Sequence, residues 1–111
     1  MECCDVIQPD VGWCGGITEL RRISVLADSK GVMMIRHGSS VYSYHFVITQ
    51  HNSPFAEFLM MDSVPDKMVL VFHPQLLGEP VPVNGKFKLD DAPGFGVDHN
   101  PEVARVRPNI R

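Results

Sequence analysis

His37 is the residue of this sequence best placed to do acid/base chemistry. It follows an apolar run, residues 32–35, and precedes Gly38 and two serines. That order is typical of a buried strand that ends, turns on a glycine and leads into a capped helix. In α/β proteins the carboxyl ends of strands are where catalytic groups are placed. Histidine is also the side chain whose charge changes near neutral pH. We therefore treat His37 as the candidate reactive group.

Two carboxylates occupy positions comparable to that of His37. Asp10 follows an apolar segment at residues 3–8, and Glu57 lies within the apolar run 55–61. Helical segments separate these runs, which predicts two successive strand–helix–strand units with right-handed crossovers. Three sequential parallel strands would bring the three side chains to one rim of a sheet.

An aspartate beside a histidine orients the ring and favours its protonated form. Such a pair acts as a general acid/base near neutral pH. A protonated Glu57 on the far side would hydrogen-bond an oxygen of a substrate or intermediate. The alternative is that Asp10, His37 and Glu57 are ordinary residues at strand ends with no shared chemistry.

The clearest predicted element is a helix at residues 17–30. Its apolar residues recur every three or four positions and form one stripe, and they are Ile17, Leu20, Ile23 and Ala27. Gly31 stands where a C′ glycine ends a helix. The predicted strands 3–8 and 32–35 flank this helix.

The second half of the chain is less regular. Ser39 or Ser40 is expected to cap the next helix, and Pro54 follows the end of that helix. Residues 55–61 are expected to form a third strand. Residues 81–89 predict a β-hairpin about a type I′ turn at Asn84-Gly85.

Composition restricts the function classes. The chain has 111 residues, 44% of them hydrophobic, and a net charge of −3, which predicts at most one globular domain and argues against nucleic-acid binding. No apolar run approaches the ~20 residues that cross a bilayer, so no membrane partner is expected. The N-terminus lacks a secretory signal pattern, and we expect a cytoplasmic protein.

The three cysteines of the chain fit neither a disulfide framework nor a zinc site, and we expect reduced, mostly buried thiols.

Four stretches of the sequence closely resemble the L-rhamnonate dehydratases, which are acid-sugar dehydratases of the mandelate racemase group in the enolase superfamily. They are IQPDVGWCGG (residues 7–16), HGSSVYSYHF (37–46), NSPFAEF (52–58) and HPQLLGEP (73–80). The likeness extends from about residue 3 to residue 108. The first stretch is shared widely across the superfamily, whereas the serine- and tyrosine-rich stretch is more specific.

This resemblance implies an α/β fold, the partial (β/α)7β TIM-like barrel formed by the last three strand–helix units plus a C-terminal hairpin segment. Residues 1–64 would belong to the barrel. Residues 65–111 would be an extension that returns toward the capping domain.

The resemblance also implies the roles of individual residues. Asp10 and His37 match the acid/base dyad on the sixth and seventh strands, and Glu57 matches the glutamate at the end of the eighth. From the same stretches we predict Trp13, Ser39 and Tyr44 as substrate-binding residues. The implied reaction converts L-rhamnonate to 2-keto-3-deoxy-L-rhamnonate and water, with a Mg²⁺-stabilised enediolate.

Two departures from the family pattern qualify this expectation. The carboxylates that bind Mg²⁺ in the family lie on earlier strands outside this chain, so we expect no metal site here and an inactive isolated chain. Arg36 places a charge beside the base, where it would either repel protonation of His37 or point away. Open strand edges also predict marginal stability, aggregation, or assembly, either as a homo-oligomer or with complementary barrel segments.

Two alternative functions fit the same sequence. The chain could be a non-catalytic binding or regulatory fragment that associates with a full-length homologue. It could also belong to another acid-sugar dehydratase of the superfamily, with a different small-molecule sugar acid as its substrate.

Overall fold

The computed structural model describes residues 3–38, 41–59, 69–70 and 72–103. In chain order it contains β1 (Val6–Ile7), α1 (Ile17–Asp28), β2 (Met33–Met34), α2 (Val41–Val47), β3 (Leu76–Leu77) and β4 (Asp98–His99). The chain forms two compact units, Met1–Leu59 and Met60–Arg111. The predicted domain division at residue 64 stays a prediction. In the ranges given above, no helix is long and apolar enough to span a membrane.

The first unit contains a parallel strand pair connected through α1. Val6 lies opposite Met33, and Ile7 lies opposite Met34. The pairing continues beyond the strands, since the N–H of Ile35 donates to the carbonyl of Ile7 over 3.0 Å. The strand–helix–strand unit predicted from the sequence is therefore confirmed, with strands shorter than the apolar runs.

Gly31 ends α1 as the sequence predicts. Its φ of 66° lies in the left-handed region, which glycine enters without steric cost. The N–H of Gly31 donates to the carbonyl of Asp28, and that of Val32 donates to Ala27, each over 2.9 Å. This pair of bonds is a Schellman motif, and it turns the chain directly into β2.

A small apolar core fixes α1 and α2 against the strands. Its fully buried members come from the loop after β1, from both helices and from β2, and they are Val11, Leu20, Met34 and Phe46. Four partly buried side chains pack around them, namely Ile7, Cys14, Ile23 and Tyr42. Cys3 and Cys4 are exposed and Cys14 is half-buried, so the expectation of mostly buried thiols was wrong for the first two.

The third strand expected over residues 55–61 is not formed in its described part. Residues 55–59 carry no strand pairing, and Met60 and Met61 lie outside the described residues. The N–H of Met34 donates to the carbonyl of Asn52 over 2.8 Å. Pro54, two residues later, has no N–H with which to continue a ladder. The cap expected from Ser39 or Ser40 also lies outside the described residues.

The second unit contains an antiparallel pair that the sequence did not reveal. In it Leu76 lies opposite His99, and Leu77 lies opposite Asp98. The predicted turn at Asn84-Gly85 is confirmed, because φ is 50° at Asn84 and 71° at Gly85, the signs that a type I′ turn requires. Each N–H of the flanking Val83 and Lys86 donates to the carbonyl of the other.

Candidate active site

The ends of the two parallel strands bring Asp10 and His37 side by side. A parallel bridge pairs these two residues beyond β1 and β2, and the N–H of His37 donates to the carbonyl of Pro9 over 3.1 Å. The adjacency predicted from two successive strands is therefore present. It follows from strand register, because each residue lies three positions beyond its own strand.

Backbone amides of the following loop hold the Asp10 carboxylate. Its Oδ1 accepts hydrogen bonds from the N–H groups of Gly12, over 2.6 Å, and Trp13, over 3.2 Å. An ionised carboxylate can only accept hydrogen bonds, and those it accepts from N–H groups are charge-assisted and therefore stronger than neutral ones. They fix the aspartate against the loop that also carries Trp13.

Glu57, and not Asp10, is the carboxylate that contacts the imidazole. His37 Nδ1 lies 3.2 Å from Glu57 Oε2, with side-chain exposures of 55% and 25%. Among the ion pairs of the described residues none joins Asp10 to His37. The expected Asp10–His37 side-chain contact was therefore wrong for this structure, and the engagement of Asp10 by loop amides gives the physical reason.

The position of Glu57 orients the histidine. A carboxylate beside Nδ1 favours the form of the ring that carries a hydrogen there, which leaves the lone pair of a neutral imidazole on Nε2. The same Oε2 accepts the Gly38 N–H over 2.5 Å. The imidazole of His37 is therefore a half-exposed base that Glu57 holds through Nδ1.

Gly38 occupies a position that a larger residue would strain. Its φ is 88°, and a Cβ there would lie 3.0 Å from Asp10 Oδ2. We expect Gly38→Ala to lower the free energy of unfolding by about 1–2 kcal/mol for the left-handed backbone alone, and further because Asp10 must move. Urea unfolding of the whole chain measures this loss.

Gly31→Ala is the matched control for that substitution. Gly31 also has a positive φ, of 66°, but nothing lies within 4 Å of its added Cβ. Equal losses for the two variants would contradict the crowding of Asp10 against Gly38.

Arg36 is buried next to the candidate base. Only 1% of it is exposed, and Nη2 donates to the carbonyls of His37, over 2.6 Å, and Gly38, over 2.5 Å. Burial lowers the pKa of Arg36, while the charges of Asp10 and Glu57 act in the opposite direction. The guanidinium thus contacts the main chain of His37 and Gly38, and its expected effect on the imidazole stays a prediction. In the sequence, Arg36 is marked only by being a charged residue between an apolar strand and a glycine.

The three predicted substrate-binding residues have different surroundings. Trp13 is almost fully exposed, whereas Tyr44 is buried in α2. Ser39 lies outside the described residues. Their contact with a substrate stays a prediction.

The described side chains do not fit a resident Mg²⁺. Within those ranges no group of three His, Cys, Asp or Glu residues could hold a metal ion. Asp10 and Glu57, the carboxylates nearest the base, already accept backbone N–H groups.

A parallel strand–helix–strand unit with an imidazole and carboxylates at its carboxyl end is a recurring arrangement of α/β enzymes, TIM-barrel enzymes among them. The family model described as Enolase C-terminal domain-like matches residues 1–103, and the chain belongs to this family.

Comparison with solved structures supports the same family. L-rhamnonate dehydratase from Gibberella zeae is 42% identical, with a TM-score of 0.80 over 88% of this chain and 26% of that chain. A second structure of rhamnonate dehydratase from that organism, complexed with Mg, has the same identity and TM-score. The resemblance to the L-rhamnonate dehydratases is thus confirmed.

A more distant neighbour supports the fold alone. A putative galactarate dehydratase from Agrobacterium radiobacter, with bound Na and L-malate, is 24% identical, with a TM-score of 0.75 over 89% of this chain and 28% of that chain. The present chain spans about a quarter of the length of these structures.

Proposed function

We propose that this chain is the acid/base-bearing part of an acid-sugar dehydratase that acts on L-rhamnonate. The observation that carries the proposal is the position of His37, half-exposed at a strand end beside Asp10 and held at Nδ1 by Glu57. The 42% identity to L-rhamnonate dehydratase supports the choice of substrate.

In the proposed reaction His37 is the general base. Its Nε2 takes the proton from the carbon next to the substrate carboxylate, and the electron pair of that C–H bond passes into an enediolate. The neighbouring C–O bond then breaks as the protonated His37 gives its proton to the hydroxyl, which leaves as water. The resulting enol becomes the 2-keto-3-deoxy sugar acid.

The carboxylates assist this histidine in different ways. Glu57 holds Nδ1, so that the lone pair of Nε2 faces away from the carboxylate. Asp10 completes the acid/base pair of the family pattern. In the proposed substrate complex Asp10 would contact the ring, since catalytic hydrogen bonds often tighten only when substrate binds.

Metal binding is assigned to segments other than the described residues. A proton next to a carboxylate is weakly acidic, and groups that stabilise the developing negative charge contribute much of the catalysis in such reactions. We therefore infer that the chain is inactive alone. It would act with complementary barrel segments or within a homo-oligomer, on a small-molecule sugar acid.

A chimera tests this function. In it, the matching segment of the Gibberella zeae enzyme is replaced by residues 1–103 of this chain, and formation of the 2-keto acid from L-rhamnonate is followed with Mg²⁺ present. We expect turnover by the chimera and none by the 111-residue chain alone.

The unaltered fungal enzyme is the control for the assay. A folded chimera without turnover of L-rhamnonate would overturn the substrate assignment, and a panel of other sugar acids would then identify the replacement. Turnover by the isolated chain would overturn the inferred need for further segments.

A further inference from the structure

Arg36 is buried at a cost that the described structure offsets only in part. Its Nε and Nη1 atoms are buried, and neither has a hydrogen-bond partner there. Arginine keeps its charge in proteins, and a buried charge without a full set of partners is unfavourable. No carboxylate of the described residues forms an ion pair with it. A residue that breaks a packing rule beside a candidate site indicates a role in that site.

The contacts that Arg36 does make converge on one turn. A single nitrogen, Nη2, binds two successive carbonyls, those of His37 and Gly38. Between these carbonyls the backbone enters the left-handed region at Gly38. Two carbonyls can share one donor nitrogen only while that turn is kept, so Arg36 stabilises it.

The same turn places the base against its carboxylate partner. The Gly38 N–H and His37 Nδ1 meet the same oxygen, Glu57 Oε2. A Cβ on Gly38 would lie 3.0 Å from Asp10 Oδ2 and 3.7 Å from Arg36 Nη2. The turn therefore lies between the guanidinium and the two carboxylates.

We propose that Arg36 is a positioning residue, whose guanidinium clamps the His37–Gly38 turn from the buried side and thereby fixes the imidazole on Glu57. This rests on the proposed function, in which His37 is the base. Sub-ångström placement matters for such a base, because a 1 Å error costs about 10²-fold in rate.

The first test is structural and uses the full 111-residue chain. NMR of the Gly38 amide and the His37 ring compares the wild type with Arg36→Met, Arg36→Lys and, as a control, Arg21→Met on the exposed side of α1. We expect Arg36→Met to move the Gly38 amide resonance toward that of an unbonded amide. Arg36→Lys keeps donors and a charge, and it should recover part of that change. Arg21→Met should leave both resonances in place.

The second test measures rate in the chimera. We expect Arg36→Met to lower kcat by about 10²-fold with KM little changed, and methylguanidinium added to Arg36→Ala to restore part of the rate. A general loss of structure would not be rescued in this way.

The outcomes separate this proposal from the proposed function. Unchanged Gly38 and His37 resonances in Arg36→Met would overturn the clamp, whatever the chimera does. A loosened turn in an Arg36 variant together with an inactive wild-type chimera would overturn the assignment of L-rhamnonate as substrate. The proposed positioning role of Arg36 would still hold. If Arg36→Met does not fold, Arg36→Lys decides: a partly displaced Gly38 amide with a partial loss of rate in that variant supports the clamp, and wild-type Gly38 and His37 resonances overturn it.

Discussion

We expect His37→Asn to lower kcat for dehydration in the chimera by about 10²–10⁴-fold, the contribution of a positioned acid/base group. Asparagine retains a donor near the position of Nδ1, so the contact with Glu57 Oε2, now 3.2 Å from the ring, can persist. It has no counterpart of the Nε2 lone pair. The substitution therefore removes the base while keeping the local packing.

Two measurements make the His37→Asn result specific. His51→Asn is the same substitution at an exposed histidine that pairs with Asp28 at 2.9 Å, and it should retain wild-type turnover. In D₂O, exchange of the hydrogen next to the substrate carboxylate should also disappear in His37→Asn. Full turnover by a folded His37→Asn chimera would reject the role of His37.

Leu20→Ala is the second large effect, and it acts on stability. Leu20 is fully buried in the cluster with Val11, Met34 and Phe46, and truncation of a buried leucine costs about 2–5 kcal/mol through lost burial and the cavity left behind. Total stabilities of small domains are about 5–15 kcal/mol, so a loss of this size populates unfolded chains. Urea unfolding followed by circular dichroism gives the change directly.

Leu26→Ala is the matched control on the same helix. Leu26 is 65% exposed, and substitutions of exposed residues usually stay within about 0.5 kcal/mol. Similar losses for the two variants would contradict the placement of the core on the Leu20 side of α1.

Local patterns with a strong physical cause were predicted correctly from the sequence. The end of α1 depends on one residue that enters the left-handed region without cost, and Gly31 is that residue. The turn at Asn84-Gly85 depends on two such positions in succession. The adjacency of Asp10 and His37 follows from parallel pairing of two apolar runs around one helix.

Contacts for which several residues or segments compete could not be predicted from the sequence. The sequence placed Asp10 and Glu57 near His37, but the choice between them is decided by the loop amides of Gly12 and Trp13, which engage Asp10. The pairing of β3 with β4 joins segments about twenty residues apart without a distinctive pattern in either. Residues 55–59 are apolar enough for a strand, yet pairing also needs a neighbouring ladder.

Asp10, Arg36, His37 and Glu57 all lie on one continuous stretch within the compact unit Met1–Leu59. A single genetic exchange spanning that stretch would transfer His37, the Glu57 carboxylate that holds it and the positioning residue Arg36 together. Recombination within it would instead separate residues whose geometry depends on one another, so viable hybrids of related genes should inherit this block whole.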